Sequence, residues 1–92
     1  MSRQVLKRPK RPDLIYDHHF GQPGAPTILF LAGYRSDRTG SKAMAFAEWV
    51  QNTSFGYVRF DYSGHGESGG VFADLTLSDW VQDAEDICAQ VL

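Results

Sequence analysis

The run Thr27-Ile28-Leu29-Phe30-Leu31-Ala32-Gly33 contains no charge and, after its first residue, no polar side chain. A strand with one wet face alternates apolar and polar residues, whereas a short unbroken apolar run suits a strand covered on both faces. The run therefore predicts an interior parallel strand. Residues 36–40 are polar and turn-rich, and over 41–52 the side chains of Ala43, Met44, Phe46, Ala47 and Val50 recur at helical spacing. Strand character returns over 55–61, around Tyr57-Val58-Arg59-Phe60. Strand, helix and strand in that order form a βαβ unit, with a right-handed crossover expected. The predicted fold class is α/β.

What precedes the unit is shorter and more polar. Leu14-Ile15-Tyr16-Asp17-His18-His19-Phe20 predicts a short strand, and the glycines and prolines of 21–26 predict a turn after it. A first antiparallel strand pair is expected here. His18 and His19 are adjacent on that strand, so they point to opposite faces and do not share a metal. Residues 1–12 carry Arg3, Lys7, Arg8, Lys10 and Arg11 with two prolines and no acid, the composition of a solvated basic tail. The expected division is thus a tail over 1–12 and a single domain over 13–92, since 92 residues fill one domain of the usual span of roughly 50 to 250.

Composition excludes several function classes. A net charge of −2 gives no field for nucleic acid or anionic lipid. No apolar run reaches the length of about 18 residues that spans a membrane, and the first residues lack the apolar stretch of a secretion signal. Asn52-Thr53-Ser54 matches a glycosylation sequon, which without export is a chance match. Cys88 is the single cysteine, and a lone thiol fits a reducing compartment: the cytoplasm, or the mitochondrial matrix in a eukaryote.

After the second strand comes Ser63-Gly64-His65-Gly66-Glu67-Ser68-Gly69-Gly70, and near Thr76 an amphipathic helix begins, with Thr76 and Asp79 as a capping box. Leu77, Trp80, Val81, Ala84, Ile87, Cys88 and Val91 form its apolar stripe, and Asp79, Gln82, Asp83, Glu85 and Asp86 its polar side. Cys88, like Trp49 and Trp80, is expected to pack in the core. The helix reaches Leu92 with no glycine, asparagine or proline to stop it, so the fold is expected to extend beyond it.

The glycine loop matches three motifs. Residues 64–69 spell G-x-G-x-x-G, the dinucleotide fingerprint, but those glycines need to open directly into a helix, and here the helix starts several residues later. Residues 66–70 spell G-x-S-x-G, which would make Ser68 a nucleophile. A nucleophile elbow sits immediately between strand and helix, with its histidine later in the chain, and no histidine follows His65. Ser68 is expected to be a turn residue. The third match is Asp61-Tyr62-Ser63-Gly64-His65-Gly66-Glu67-Ser68, or D-x-S-G-H-G-x-S.

In this third pattern the sequence resembles the α/β-hydrolase superfamily, where such a loop follows the fourth strand. The resemblance also takes 27–33 as the third strand, 34–40 as the oxyanion loop, 41–52 as helix A and 76–92 as helix B. It implies the N-terminal part of an α/β-hydrolase sheet: a short antiparallel strand pair, then parallel strands with helices on both faces, ending before the nucleophile elbow. It makes the backbone N–H of Tyr34 an oxyanion donor. The family's histidine in this stretch is replaced by Ala32, and Arg35, Ser36 and Asp37 shape the loop and its entrance. Asp61 would hold the glycine loop through main-chain amides, Gly64 and Gly66 would permit its tight path, and His65 would be structural.

The wording Gly-Tyr-x-Ser-Asp, followed by Gly-Ser-Lys-Ala, is similar to a branch that includes acyl-protein thioesterases acting on S-palmitoyl groups. The implied function is serine hydrolysis of carboxylic esters or thioesters through an acyl-enzyme, on a small acyl substrate or an S-acylated protein, without cofactor or metal. Nucleophile, acid and base would lie beyond Leu92, leaving 27–31 as an open apolar edge. Two other readings stand beside this one: a small nucleotide-binding α/β domain using 64–69, and a non-catalytic fragment that associates with other chains.

Overall fold

A computed structural model describes residues 1–92. The elements are β1 (Arg3–Leu6), β2 (Leu14–His19), β3 (Thr27–Leu31), α1 (Ser41–Val50), β4 (Gly56–Phe60), a 3-10 turn (Phe72–Asp74) and α2 (Leu77–Gln90). One four-stranded sheet runs in the order β1-β2-β4-β3. β1 with β2 and β2 with β4 are antiparallel, while β3 and β4 are parallel.

Alternation along β4 places a helix on each face. Val58 and Phe60 point one way, and with Leu14 of β2 and Ile87 of α2 they form a core in which all four side chains are fully buried. Burial of each is worth about 1.5–3 kcal/mol. Tyr57 points the other way, against Ala47 and Val50 of α1, and its hydroxyl donates to the Ala43 carbonyl at 2.8 Å. Burial pushes the Tyr57 phenol up to about 12. The mixed sheet with helices on both faces matches the expected fold class.

Two local expectations are corrected. Residues 1–12 are not a solvated tail: β1 pairs with β2, and Arg8 is buried between the carboxylates of Asp83 at 2.8 Å and Asp86 at 2.9 Å. The expected antiparallel pair is present as β1 with β2, and β2 lies between β1 and β4 because the segment over 21–26 carries the chain past β4 to the far edge. Strand β3, parallel to β4, forms the open apolar edge expected of 27–31 in this chain. Asp83 belongs to the buried side of α2, whereas Leu77 and Val81 of the apolar stripe are exposed, and Cys88 and Trp49 are exposed rather than packed in a core. No helix is long and apolar enough to cross a membrane.

Candidate functional site

β3 and β4 run in parallel with Leu31 opposite Phe60, so their C-terminal ends adjoin and the loops that follow leave the sheet side by side. In open α/β sheets ligands bind outside the carboxyl ends of the strands. The two loops are the turn after Ala32 and the glycine loop after Phe60.

In the first loop the Ser36 N–H donates to the Gly33 carbonyl at 2.9 Å, closing a four-residue turn with Arg35 at φ 61°. A positive φ at the third residue alone marks a type II turn. The Arg35 N–H donates to Nε2 of His65 at 3.1 Å. The Tyr34 N–H donates to no acceptor in the protein. The Tyr34 ring is 69% exposed and leans on His65, Phe72 and Trp80 at centroid distances of 6.4, 5.5 and 5.7 Å. The Arg35 guanidinium lies 4.9 Å over the Phe72 ring, a cation–π contact.

His65 is buried and both ring nitrogens are engaged. An amide N–H can only donate, so Nε2 accepts from Arg35 and bears no proton; Nδ1, 3.0 Å from the Ser63 carbonyl, carries it. The same carbonyl accepts Trp80 Nε1 at 2.9 Å. The structural part expected of His65 therefore has a specific content, the joining of the two loops.

Asp61, fully buried at the end of β4, accepts from three groups. Oδ1 takes the Arg38 N–H at 2.7 Å; Oδ2 takes Arg38 Nη1 at 2.7 Å and the Glu67 N–H at 2.9 Å. Arg38 extends the network to Asp17 at 3.0 Å and Glu67 at 2.8 Å, and Asp17 also receives Arg59 at 2.9 Å. The hydrogen bond from Arg38 is the main reason that the Glu67 carboxyl is held below the usual range. Gly66 lies so close to the Asp61 carboxylate that a Cβ there would collide with it, and its φ of 49° favours glycine independently.

Ser68 is fully committed: its Oγ donates to the Asp61 carbonyl at 2.6 Å and accepts the Ile15 N–H at 2.9 Å. Neither nitrogen of His65 is free to act as its base. The glycine loop likewise offers no phosphate cradle. The amides of Gly64, His65, Glu67, Ser68 and Gly69 all donate to acceptors within the protein, and a carboxylate sits beneath them. The N-terminus of α2 is closed by Asp79, which accepts the Thr76 N–H at 2.8 Å in the expected capping box.

Sequence reasoning missed Arg38, Asp17 and Arg8 as organisers of this end. One signal was available: Asp17 and Arg59 are charges in mid-strand, and a charge in an otherwise apolar strand needs a partner. They stand directly opposite each other in β2 and β4.

On the α2 side of β3 an apolar groove of about 780 Å³ runs beside Tyr34, lined by Leu29, Leu31, Trp80, Val81 and Cys88 among others. It adjoins the free edge of β3.

No protein-family model matches the chain. It is 39% identical over 86 residues to the palmitoyl-protein thioesterase ABHD10, mitochondrial, of Bos taurus, an alignment covering 94% of this chain and 28% of that protein. Among solved structures it superposes on the α/β hydrolase domain-containing protein 10 from mouse with a TM-score of 0.92 at 34% identity, covering 100% of this chain and 36% of that one. A hydrolase from Agrobacterium vitis, described as putative, gives a TM-score of 0.85 at 34% identity over 98% of this chain and 35% of its own. The chain thus spans about a third or less of the proteins it matches, and the match lies in their N-terminal portion.

Proposed function

For this chain, which belongs to the α/β-hydrolase superfamily, we propose the role of N-terminal segment in a serine hydrolase that cleaves acyl esters or thioesters, with the Tyr34 amide as an oxyanion donor. The observation that carries the reading is the undonated Tyr34 N–H on a turn pinned at the C-terminal end of β3. When a serine attacks an acyl carbonyl, negative charge gathers on the carbonyl oxygen, and a donor already in place stabilises it without reorganisation. The nucleophile, its base and its acid come from outside these 92 residues, so the segment alone turns nothing over. The thioesterase names of the mammalian relatives support an S-acylated substrate, small or protein-borne. They also carry the word mitochondrial, which favours the matrix over the cytosol for a eukaryotic source.

Tyr34→Pro tests the donor against Tyr34→Ala, because proline is well accepted at the second residue of a type II turn and, beyond the ring that both variants lose, removes the N–H. In the full-length protein, hydrolysis of an acyl thioester should show kcat lowered by about 10²- to 10³-fold with KM little changed. Tyr34→Ala, which keeps the amide, should stay within a few-fold of wild type. A Tyr34→Pro variant as fast as Tyr34→Ala would remove Tyr34 from the oxyanion hole.

A further inference from the structure

We propose that His65 is a positioning residue for the oxyanion donor, selecting through the Arg35 N–H the turn form in which Tyr34 is held. This inference rests on the assignment of the Tyr34 amide above. The Tyr34 Cα stands between two planar peptide units. In the first, the Gly33 carbonyl points into the turn to meet the Ser36 N–H, so the Tyr34 N–H on the opposite side of the same plane points away from it. In the second, the Arg35 N–H points at Nε2 of His65. Each unit is fixed by one hydrogen bond, and the second bond is the only one that leaves the turn.

That second bond works against local preference. A residue with a Cβ at φ 61° is uncommon, and the third position of a type II turn ordinarily takes glycine or asparagine. Rotation of the Tyr34-Arg35 peptide by about half a turn gives a type I turn, in which Arg35 returns to negative φ. With arginine at this position the turn relaxes to type I unless something accepts the N–H of the type II form, and His65 is that acceptor. Its own ring is fixed by the Ser63 carbonyl, which is further held by Trp80, while the Ser63 amide and hydroxyl bond Asp83. The peptide flip by itself leaves the Gly33-Tyr34 unit in place, but it also breaks the one hydrogen bond that ties the turn to the glycine loop, so the turn is free to shift as a unit and carry the Tyr34 N–H with it. A displacement of the donor by about 1 Å is enough to cost up to 10²-fold in rate.

The experiment compares His65→Phe, His65→Gln and the double variant Arg35→Gly/His65→Phe in the full-length protein, by thioester hydrolysis and by NMR. His65→Phe keeps a ring but no acceptor, and its kcat should fall by about 10- to 100-fold with KM within about two-fold. His65→Gln returns an acceptor and should recover most of the loss. Arg35→Gly/His65→Phe should also recover, since glycine holds positive φ without assistance. In wild type the Tyr34 Hα to Arg35 amide proton contact should be strong, as in type II, and weak in His65→Phe. Equal losses in the Phe and Gln variants, no recovery in the double variant, or a loss confined to KM would overturn the proposal. If His65→Phe does not fold, wild type still decides it: absence of a scalar coupling between the Arg35 amide nitrogen and His65 Nε2 overturns it. A wild-type protein that hydrolyses no acyl ester or thioester would sink the oxyanion reading instead, and the NMR contact would still report on His65.

Discussion

The loops at the C-terminal ends of β3 and β4 and the outer side of β3 are built on opposite plans. At the loop end the buried polar side-chain atoms are all paired, and the pairs join residues distant in sequence: Arg38 with Asp17 and Asp61, Arg8 with Asp83 and Asp86. On the outer side Leu31 is 51% exposed and Leu77 73% exposed, around an open apolar groove. The contrast separates a region whose buried polar groups are satisfied from one whose apolar groups are uncovered. The polar loop end is self-sufficient and preorganised by contacts made within these 92 residues, whereas the apolar side displays what a core would bury. A strand edge and a contiguous apolar surface in the same place are the two features through which a sheet can pair with another chain.

The largest effect is expected at the polar end, from Asp61→Ala. The substitution leaves Nη1 of Arg38 and the amides of Arg38 and Glu67 without their acceptor, and breaking a buried charge pair from one side costs about 3–5 kcal/mol. Denaturant unfolding of the full-length protein measures it. A loss below about 1 kcal/mol, the range of exposed pairs, would mean that the network is solvated and the loop end not preorganised in this way.

A smaller and opposite effect is expected at the apolar side. The isolated 92-residue segment should self-associate or melt without a sharp transition, and Leu31→Lys, a charge on the edge strand, should shift it towards monomer in sedimentation. Leu31 is half exposed, so in the segment the substitution should change stability by no more than about 0.5 kcal/mol. A monomeric wild-type segment with a sharp, reversible melt would contradict the comparison, because the apolar side would then need no cover.

The same division decided what the sequence could reveal. Local signals sufficed for the apolar run that became β3, the helical spacing over 41–52 that became α1, the strand around Tyr57 to Phe60, the capping box and the committed turn role of Ser68. Long-range polar pairing left no local trace. The five cations of 1–12 look solvated until Asp86, 78 positions away in the chain, is seen to receive Arg8. Strand β1 was hidden in the same tail for that reason. Asp83 falls on the polar side of a helical wheel, and only the arrival of Arg8 and the Ser63 amide explains its burial. The exposure of Leu77 and Cys88 was illegible for a different reason: periodicity identifies an apolar stripe but not whether anything covers it.

Helix α2 belongs to both regions, with its first turn at the loop end and its body along the groove, and its start offers the finest test. The Asp79 carboxyl is held below its usual value of 3.8 chiefly by the Thr76 backbone N–H, then by the Thr76 hydroxyl, with Arg11 adding a weaker attraction. Because the folded value is depressed, this contribution is present in full above the ordinary carboxylate value and is lost as pH falls through the folded one. Asp79→Asn removes the titration, so the stability difference between wild type and variant should be constant at about pH 6 and shrink steadily below about pH 4. The effect is small, since the group is exposed and acts on one helical turn. A difference unchanged down to about pH 3 would mean that the anion contributes nothing to the start of α2, and that the order of the loop end comes from the buried Arg38 and Arg8 networks alone.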